Sequence, residues 1–178
     1  MAAAQSITDE ELRKIRAETH LTFGKEYLRA GRYEEALTAF EEAAQIDPDE
    51  TRALMGRSLA LTRLGRYDEA LGAANDIFRL APNNPHGYNA QAVVYQATGR
   101  LAEAQAAFEK SIAFGPNLAG NHYNFACFWA ARAEAERCRE HLTRALELEP
   151  RLNVIAATDV DFEQYRGEDW FLELVAFK

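Results

Sequence analysis

Apolar residues recur along this chain at steps of three and four, the spacing of one buried face of a helix. Within residues 17–30, His20, Phe23, Gly24 and Tyr27 fall on one side of a helical wheel. Within residues 33–46, Ala36, Phe40 and Ala43 form a matching stripe. Gly31 lies between the two and can take the left-handed conformation that ends a helix. The pattern predicts a helical hairpin, and the hairpin then returns. Gly31-Arg32-Tyr33-Glu34-Glu35-Ala36 reappears as Gly65-Arg66-Tyr67-Asp68-Glu69-Ala70, and again as Gly99-Arg100-Leu101-Ala102-Glu103-Ala104. Each copy starts 34 residues after the last, and Pro48, Pro82, Pro116 and Pro150 keep the same interval. The residue before each proline is biased away from helical angles, so each second helix is predicted to stop there. Asn84-Pro85 restarts a helix, as an N-cap followed by proline in the first turn.

A strict period of this length implies a stacked array of small units and not one common core. The frames run 17–50, 51–84, 85–118 and 119–152 within a single repeat domain spanning 1–178. The fourth frame has Ala133-Glu134-Ala135 where the others have their turn glycine, which predicts a helical or distorted turn. Residues 1–16 form an N-terminal extension. Thr8 and Glu11 read as a capping box ahead of Leu12 and Ile15. One helix is therefore expected from about residue 9 to about residue 30, with its extension shielding the first unit. Residues 153–178 fall outside the period and carry Phe162, Tyr165, Trp170 and Phe171. Thr158 is expected to cap a short helix near Val160, with Gly167 breaking it before another near Trp170. The segment reads as a C-terminal cap. The alternative is a tail that docks into a neighbouring molecule.

These positions resemble the tetratricopeptide repeat (TPR) family. The matching residues are Phe23, Gly24, Tyr27, Ala36, Phe40 and Pro48 in the first frame, and Leu54, Ser58, Leu61, Ala70 and Pro82 in the second. They are Tyr88, Ala92, Tyr95, Ala104, Phe108 and Pro116 in the third, and Phe125, Ala126, Trp129, Leu142, Ala145 and Pro150 in the fourth. Small residues at Gly24, Ser58, Ala92 and Ala126 let paired helices approach, and large ones at Tyr27, Leu61, Tyr95 and Trp129 fill the space beside them. Arg57 and Gln91 depart from the pattern, where the family places a large apolar residue. Their stems are expected to pack while their heads reach water. The resemblance implies an all-α fold: an α-solenoid of four helix-turn-helix repeats in a right-handed superhelix.

It also implies that the first helix of each unit lines a concave face. The groove residues are then Lys25, Arg29, Arg52, Met55, Leu59, Arg63, His86, Asn89, Val93, Gln96, Tyr123, Asn124 and Cys127, with Leu21 beside them. Lys25, Arg29, Arg52 and Arg63 stand there against Glu18, while most acidic residues fall on turns and second helices. That asymmetry points to a protein or peptide partner of acidic or mixed acidic-apolar character. One TPR subclass grips a chaperone's C-terminal carboxylate with lysine, asparagine and arginine. The corresponding places hold Leu21, Lys25, Gly56, His86 and Ala90, so that clamp is not expected.

Composition narrows the choice further. The chain has 178 residues, 48% of them apolar, and a net charge of −8. Binders of duplex nucleic acid need a basic surface, so that class is disfavoured. Cys127 and Cys138 are too few and too widely spaced for a disulfide framework or a zinc motif. Met1–Ser6 lacks the basic-then-apolar pattern of a signal peptide, and no stretch reaches the ~20 apolar residues of a membrane span. A cytoplasmic protein is expected. No catalytic residue, metal site or cofactor is expected, because no metal-ligand cluster, phosphate loop or activated nucleophile stands out. His20 and His122 read as packing residues. The expected function is a non-catalytic protein-interaction module, an adaptor or scaffold. The alternatives are a self-assembling structural protein, as a homo-oligomer, and a regulatory subunit of an enzyme.

Overall fold

The computed structural model describes residues 7–176, so the signal-peptide reading of Met1–Ser6 lies outside the described residues. Eight helices form four hairpins: α1 (Asp9–Arg29) with α2 (Tyr33–Ile46), α3 (Thr51–Arg63) with α4 (Tyr67–Leu80), α5 (Pro85–Ala97) with α6 (Leu101–Phe114), and α7 (Ala119–Ala130) with α8 (Ala135–Leu148). Each second helix packs on the first helix of the next unit, and α1, α3, α5 and α7 touch in series to form the inner layer. The fold is an α-solenoid, as the period predicts. Among the described residues no helix is long and apolar enough to cross a membrane.

Local chemistry explains the repeated hexapeptide. Gly31, Gly65 and Gly99 take φ of 71°, 74° and 73°. The next residue's N–H then reaches back to the preceding helix: Arg32 to Tyr27 O, Arg66 to Leu61 O and Arg100 to Tyr95 O. This satisfies a carbonyl that the helix end leaves open. The same arginines pair with Glu35, Glu69 and Glu103 in the first turn of the second helix. Arg32 and Arg100 also stack on Tyr27 and Tyr95, at 4.6 and 4.3 Å from the ring centroids. The fourth turn is not distorted. Ala133 adopts φ of 57° and Glu134 N–H bonds to Trp129 O, so the geometry of the other three turns is kept. Packing on both sides of the loop holds an alanine where that conformation costs roughly 1–2 kcal/mol.

The units are locked by aromatic rings set against absent side chains. Phe40, on α2, lies between α1 and α3, and a Cβ at Gly24 or Gly56 would come within 2.6 or 2.3 Å of its ring. Both positions must therefore stay bare for the ring to fit. Further along, Phe108 stacks on Phe125 at 5.1 Å and leans on Phe128 at 5.3 Å.

Several expectations need correcting. Leu21 is fully buried in the first core cluster with Ala36 and Phe40, because α3 closes over it; it does not line the concave face. Phe23 is 46% exposed, since its place in the repeat packs on the second helix of a preceding unit and the described residues hold none before α1. In later units that place is filled. Arg57 reaches Glu41 and Asp76, each at 3.6 Å, and the Gln91 amide donates to Asn75 Oδ1 at 2.8 Å. The Thr8–Glu11 capping box forms as expected, but the extension does not shield the first unit. It continues α1 as one helix and leaves Leu12 and Ile15 exposed, as Phe23 is.

At the other end, α9 (Leu152–Thr158), a 3-10 turn (Val160–Tyr165) and α10 (Asp169–Val175) fold back on α7 and α8. Helix α9 has no counterpart in the sequence expectation. The 3-10 turn is capped by Asp159, which accepts from Asp161 N–H at 3.1 Å, and not by Thr158. A short turn wound more tightly than an α-helix suits a carboxylate that bonds two residues on. Ala156, Phe162, Tyr165 and Phe171 are buried in one cluster with Phe128, Trp129 and Leu142.

Candidate functional site

The inner layer carries a groove of about 570 Å³, formed along α1, α3, α5 and α7. Eleven of the thirteen residues placed there from sequence line it: Lys25, Arg52, Met55, Leu59, Arg63, Asn89, Val93, Gln96, Tyr123, Asn124 and Cys127. Arg29 does not. It sits on the exposed last turn of α1, beyond the groove's edge. His86 lines a different, open hollow of about 740 Å³ over the α4–α5 and α6–α7 loops, with Pro85, Phe114 and Leu118. It is the second residue of α5, so it projects at the loop end and not along the inner face.

The charges in the groove are not equivalent. The Arg52 guanidinium is forked onto Glu50 at 2.6 Å and Glu18 at 2.8 Å. These bonds, chiefly that to Glu50, hold it firmly protonated. Glu50 is half of that arrangement and was missed in the sequence, where Glu18 alone was set against the basic residues. Lys25 and Arg63 form no ion pair among the described residues and face the groove. Met55, Leu59 and Val93 give it an apolar floor. Asn89 is 3% exposed, and its Oδ1 has no hydrogen-bond partner among the described residues.

The C-terminal segment supplies the groove's far end. Asp159, Val160 and Asp161 join the lining from the 3-10 turn and its cap. Tyr123 Oη donates to Asp159 Oδ2 at 2.7 Å. Burial, then that bond, pushes the Tyr123 phenol up. Burial and neighbouring Asp159 raise the Asp161 carboxyl above its ordinary value. These acids lie outside the 34-residue period, so no repeat position announces them. The usable signal is Asp159-Val160-Asp161-Phe162 itself: an anchored Phe162 fixes where the two acids before it must emerge. Both thiols are poor nucleophiles. Burial pushes Cys138 up to about 12, and burial plus Asp161 and Asp159 hold Cys127 well above its usual value.

A second polar cluster ties α7 to α8. His122 is buried, with Nε2 3.0 Å from Pro116 O and Nδ1 3.2 Å from His141 Nδ1. A carbonyl only accepts, so His122 Nε2 carries the proton. With neutral rings, His141 Nδ1–H then donates to His122 Nδ1. Protonating both rings would set two donors against each other. Burial is the main cause that lowers the His141 pKa, Glu140 opposes it, and His122 adds to it. A depressed base leaves the folded state short of protons relative to the unfolded chain, so stability falls as pH drops below about 6.5. We expect the Tm to fall by a few degrees between pH 7.5 and 5.5, and His141→Gln to flatten the drop. Part of the drop persists, because burial also lowers the His86 pKa. Parallel melting curves of the two proteins check this.

The comparisons agree with the geometry. Family models described as tetratricopeptide repeat match residues 21–85 and 85–117. No curated protein matches the chain. Among solved structures, it is similar to a thermophilic TPR protein of Thermus thermophilus, at 23% identity, covering 89% of this chain and 86% of that one, with a TM-score of 0.65. It is similar to the first TPR domain of human RPAP3, at 19% identity, covering 76% and 96%, with a TM-score of 0.54. The first TPR of Spaghetti (RPAP3), bound to the HSP90 peptide SRMEEVD, matches at 22% identity, covering 66% and 94%, with a TM-score of 0.52. Likeness at these identities is a likeness of fold.

Proposed function

This chain belongs to the tetratricopeptide repeat family, and we propose that its concave groove holds a peptide or partner helix of mixed acidic and apolar character. The observation that carries the reading is a combination: Lys25 and Arg63, unpaired among the described residues, stand beside the apolar floor of Met55, Leu59 and Val93. Acidic side chains would meet the cations, and aliphatic ones would bury on the floor. The peptide SRMEEVD bound to the Spaghetti (RPAP3) relative is itself of mixed acidic and apolar character, which supports the reading. Among the described residues the groove offers no activated nucleophile or base, which favours an adaptor or scaffold over a catalyst.

Screening the protein against a displayed random-peptide library tests the reading. Selected sequences should place Asp or Glu beside aliphatic residues. Lys25→Glu with Arg63→Glu should weaken the best of them roughly tenfold, from the loss of two exposed pairs at ~0.2–1 kcal/mol each and the repulsion that replaces them. Arg29→Glu, outside the groove, should change little. Added salt should weaken the wild type and not the double variant. Selection of basic peptides only, or indifference to the double change, overturns the reading.

Self-assembly has one observation in its favour: Leu12, Ile15 and Phe23 are exposed apolar residues on α1. Light scattering across a concentration series tells the two apart.

A further inference from the structure

Both ends of the stack leave apolar side chains uncovered among the described residues. At the front, Leu12, Ile15 and Phe23 are 49%, 53% and 46% exposed. With Thr19 they follow one another at steps of three and four, so they form a single stripe along α1. At the rear, Val154 and Ile155 on α9 and Leu172 on α10 are 50%, 44% and 50% exposed. The rear is also an unfinished repeat. Helices α3, α5 and α7 start at Thr51, Pro85 and Ala119, and α9 starts at Leu152, within one residue of the next interval. It is the first helix of a fifth unit, cut short where the 3-10 turn begins. The front thus lacks, among the described residues, the second helix that precedes every other first helix. The rear ends in α10, which packs on α8 and α9 and leaves Asp169, Leu172, Glu173 and Ala176 exposed along one side.

We propose that the front of one molecule docks on the rear of a second copy, with α10 taking the place of the second helix that α1 lacks. Charge picks out this occupant. On α10, Asp169 and Glu173 flank Leu172, and neither acid forms an ion pair among the described residues. Arg16, one turn after Leu12 on the edge of the α1 stripe, is exposed and equally without an ion pair there. The molecule already builds a joint in this way. Arg57 holds the place in α3 that Phe23 holds in α1, and it reaches Glu41 of the preceding second helix at 3.6 Å. Leu172 would bury against Leu12, Ile15 and Phe23 while its flanking acids meet Arg16. The lengths agree: Leu12 to Phe23 spans about 16 Å of α1, and α10 is about 10 Å long, at ~1.5 Å per residue. Front-to-front pairing would cover one end only, whereas front-to-rear contact covers both. Because the two surfaces differ, copies add in a row and do not close into a pair. The net charge of −8 opposes close approach of copies, so assembly depends on concentration. The contact uses neither Lys25, Arg63 nor the apolar floor, so it stands apart from the groove's ligand.

Analytical ultracentrifugation of the tag-free full chain, from micromolar to millimolar, tests this. The average mass of the wild type should climb with concentration and pass that of a dimer. Ile15→Asp blocks the front and Leu172→Asp blocks the rear. Both are exposed changes, and circular dichroism checks that each variant keeps the fold. Either variant alone should stay monomeric where the wild type associates, its dissociation constant raised at least about tenfold by a charge set into apolar contact. Mixed, the two should form a one-to-one dimer and nothing larger, since one keeps its rear and the other its front. Arg16→Glu should weaken assembly, and Asp169→Arg with Glu173→Arg in the same chain should restore it. Lys25→Glu with Arg63→Glu should leave assembly unchanged, which separates this contact from the groove. The proposal is overturned if the wild type is monomeric at millimolar concentration. It is equally overturned if either variant self-associates alone, by front-to-front or rear-to-rear pairing, or if the mixed variants form no complex.

Discussion

Ending the chain after Pro150 is expected to melt the fourth unit as well as remove the segment that follows it. Phe162 and Phe171 are fully buried and Tyr165 nearly so, all against α7 and α8. Burying each such ring is worth ~1.5–3 kcal/mol. Three of them approach the ~5–15 kcal/mol that holds a typical domain together. Their loss would also bare Trp129, Leu142 and Cys138, which now pack in the same cluster. In a stacked array each unit leans on its neighbours, so damage at one end spreads inward from there. Circular dichroism should show more helix lost than α9, the 3-10 turn and α10 contain, together with a broadened transition. A truncated chain with an unchanged Tm, altered only in oligomer size, would show that the segment serves a neighbouring molecule instead.

Phe108→Ala is expected to cost ~3–5 kcal/mol, the range for emptying an aromatic core site. The ring is 0% exposed and touches both Phe125 and Phe128, so it joins the third unit to the fourth. Its neighbours are rings already engaged with one another, which leaves little freedom to collapse into the void. Tyr95→Ala should cost much less. Tyr95 is only half-buried, with one face covered by Arg100. Urea unfolding of the two variants beside the wild type measures the difference. Equal losses would mean that the ring cluster does not carry the joint between units.

That contrast shows what the sequence can and cannot say. Periodicity marks Tyr95 and Phe108 alike as inward residues, yet burial depends on what the next element lays over them. The hairpins, their turns and the long first helix are legible because local rules decide them: glycine at the turn, proline after the second helix, the box at Thr8. The inner face is legible for the same reason, since every fourth residue of a first helix must share a side. Leu21 and Phe23 defeat that reasoning. They trade places because α3 covers one and no earlier described helix covers the other. The groove's acid end was hidden for a different reason. Asp159 and Asp161 arrive by a fold-back that only the docking of Phe162 and Phe171 determines. Ala133 shows the converse: once packing fixes a loop, the glycine that usually announces it can be missing.

The uncovered apolar residues on α1 and the aromatic plug behind α8 make the molecule directional. One extremity is packed with interlocked rings, while among the described residues the other leaves Leu12, Ile15 and Phe23 uncovered. Thermal fraying should therefore start at the front and travel backward, so that the rear half stays ordered longest. Any engineered hairpin added to lengthen the stack has a ready landing place ahead of Phe23.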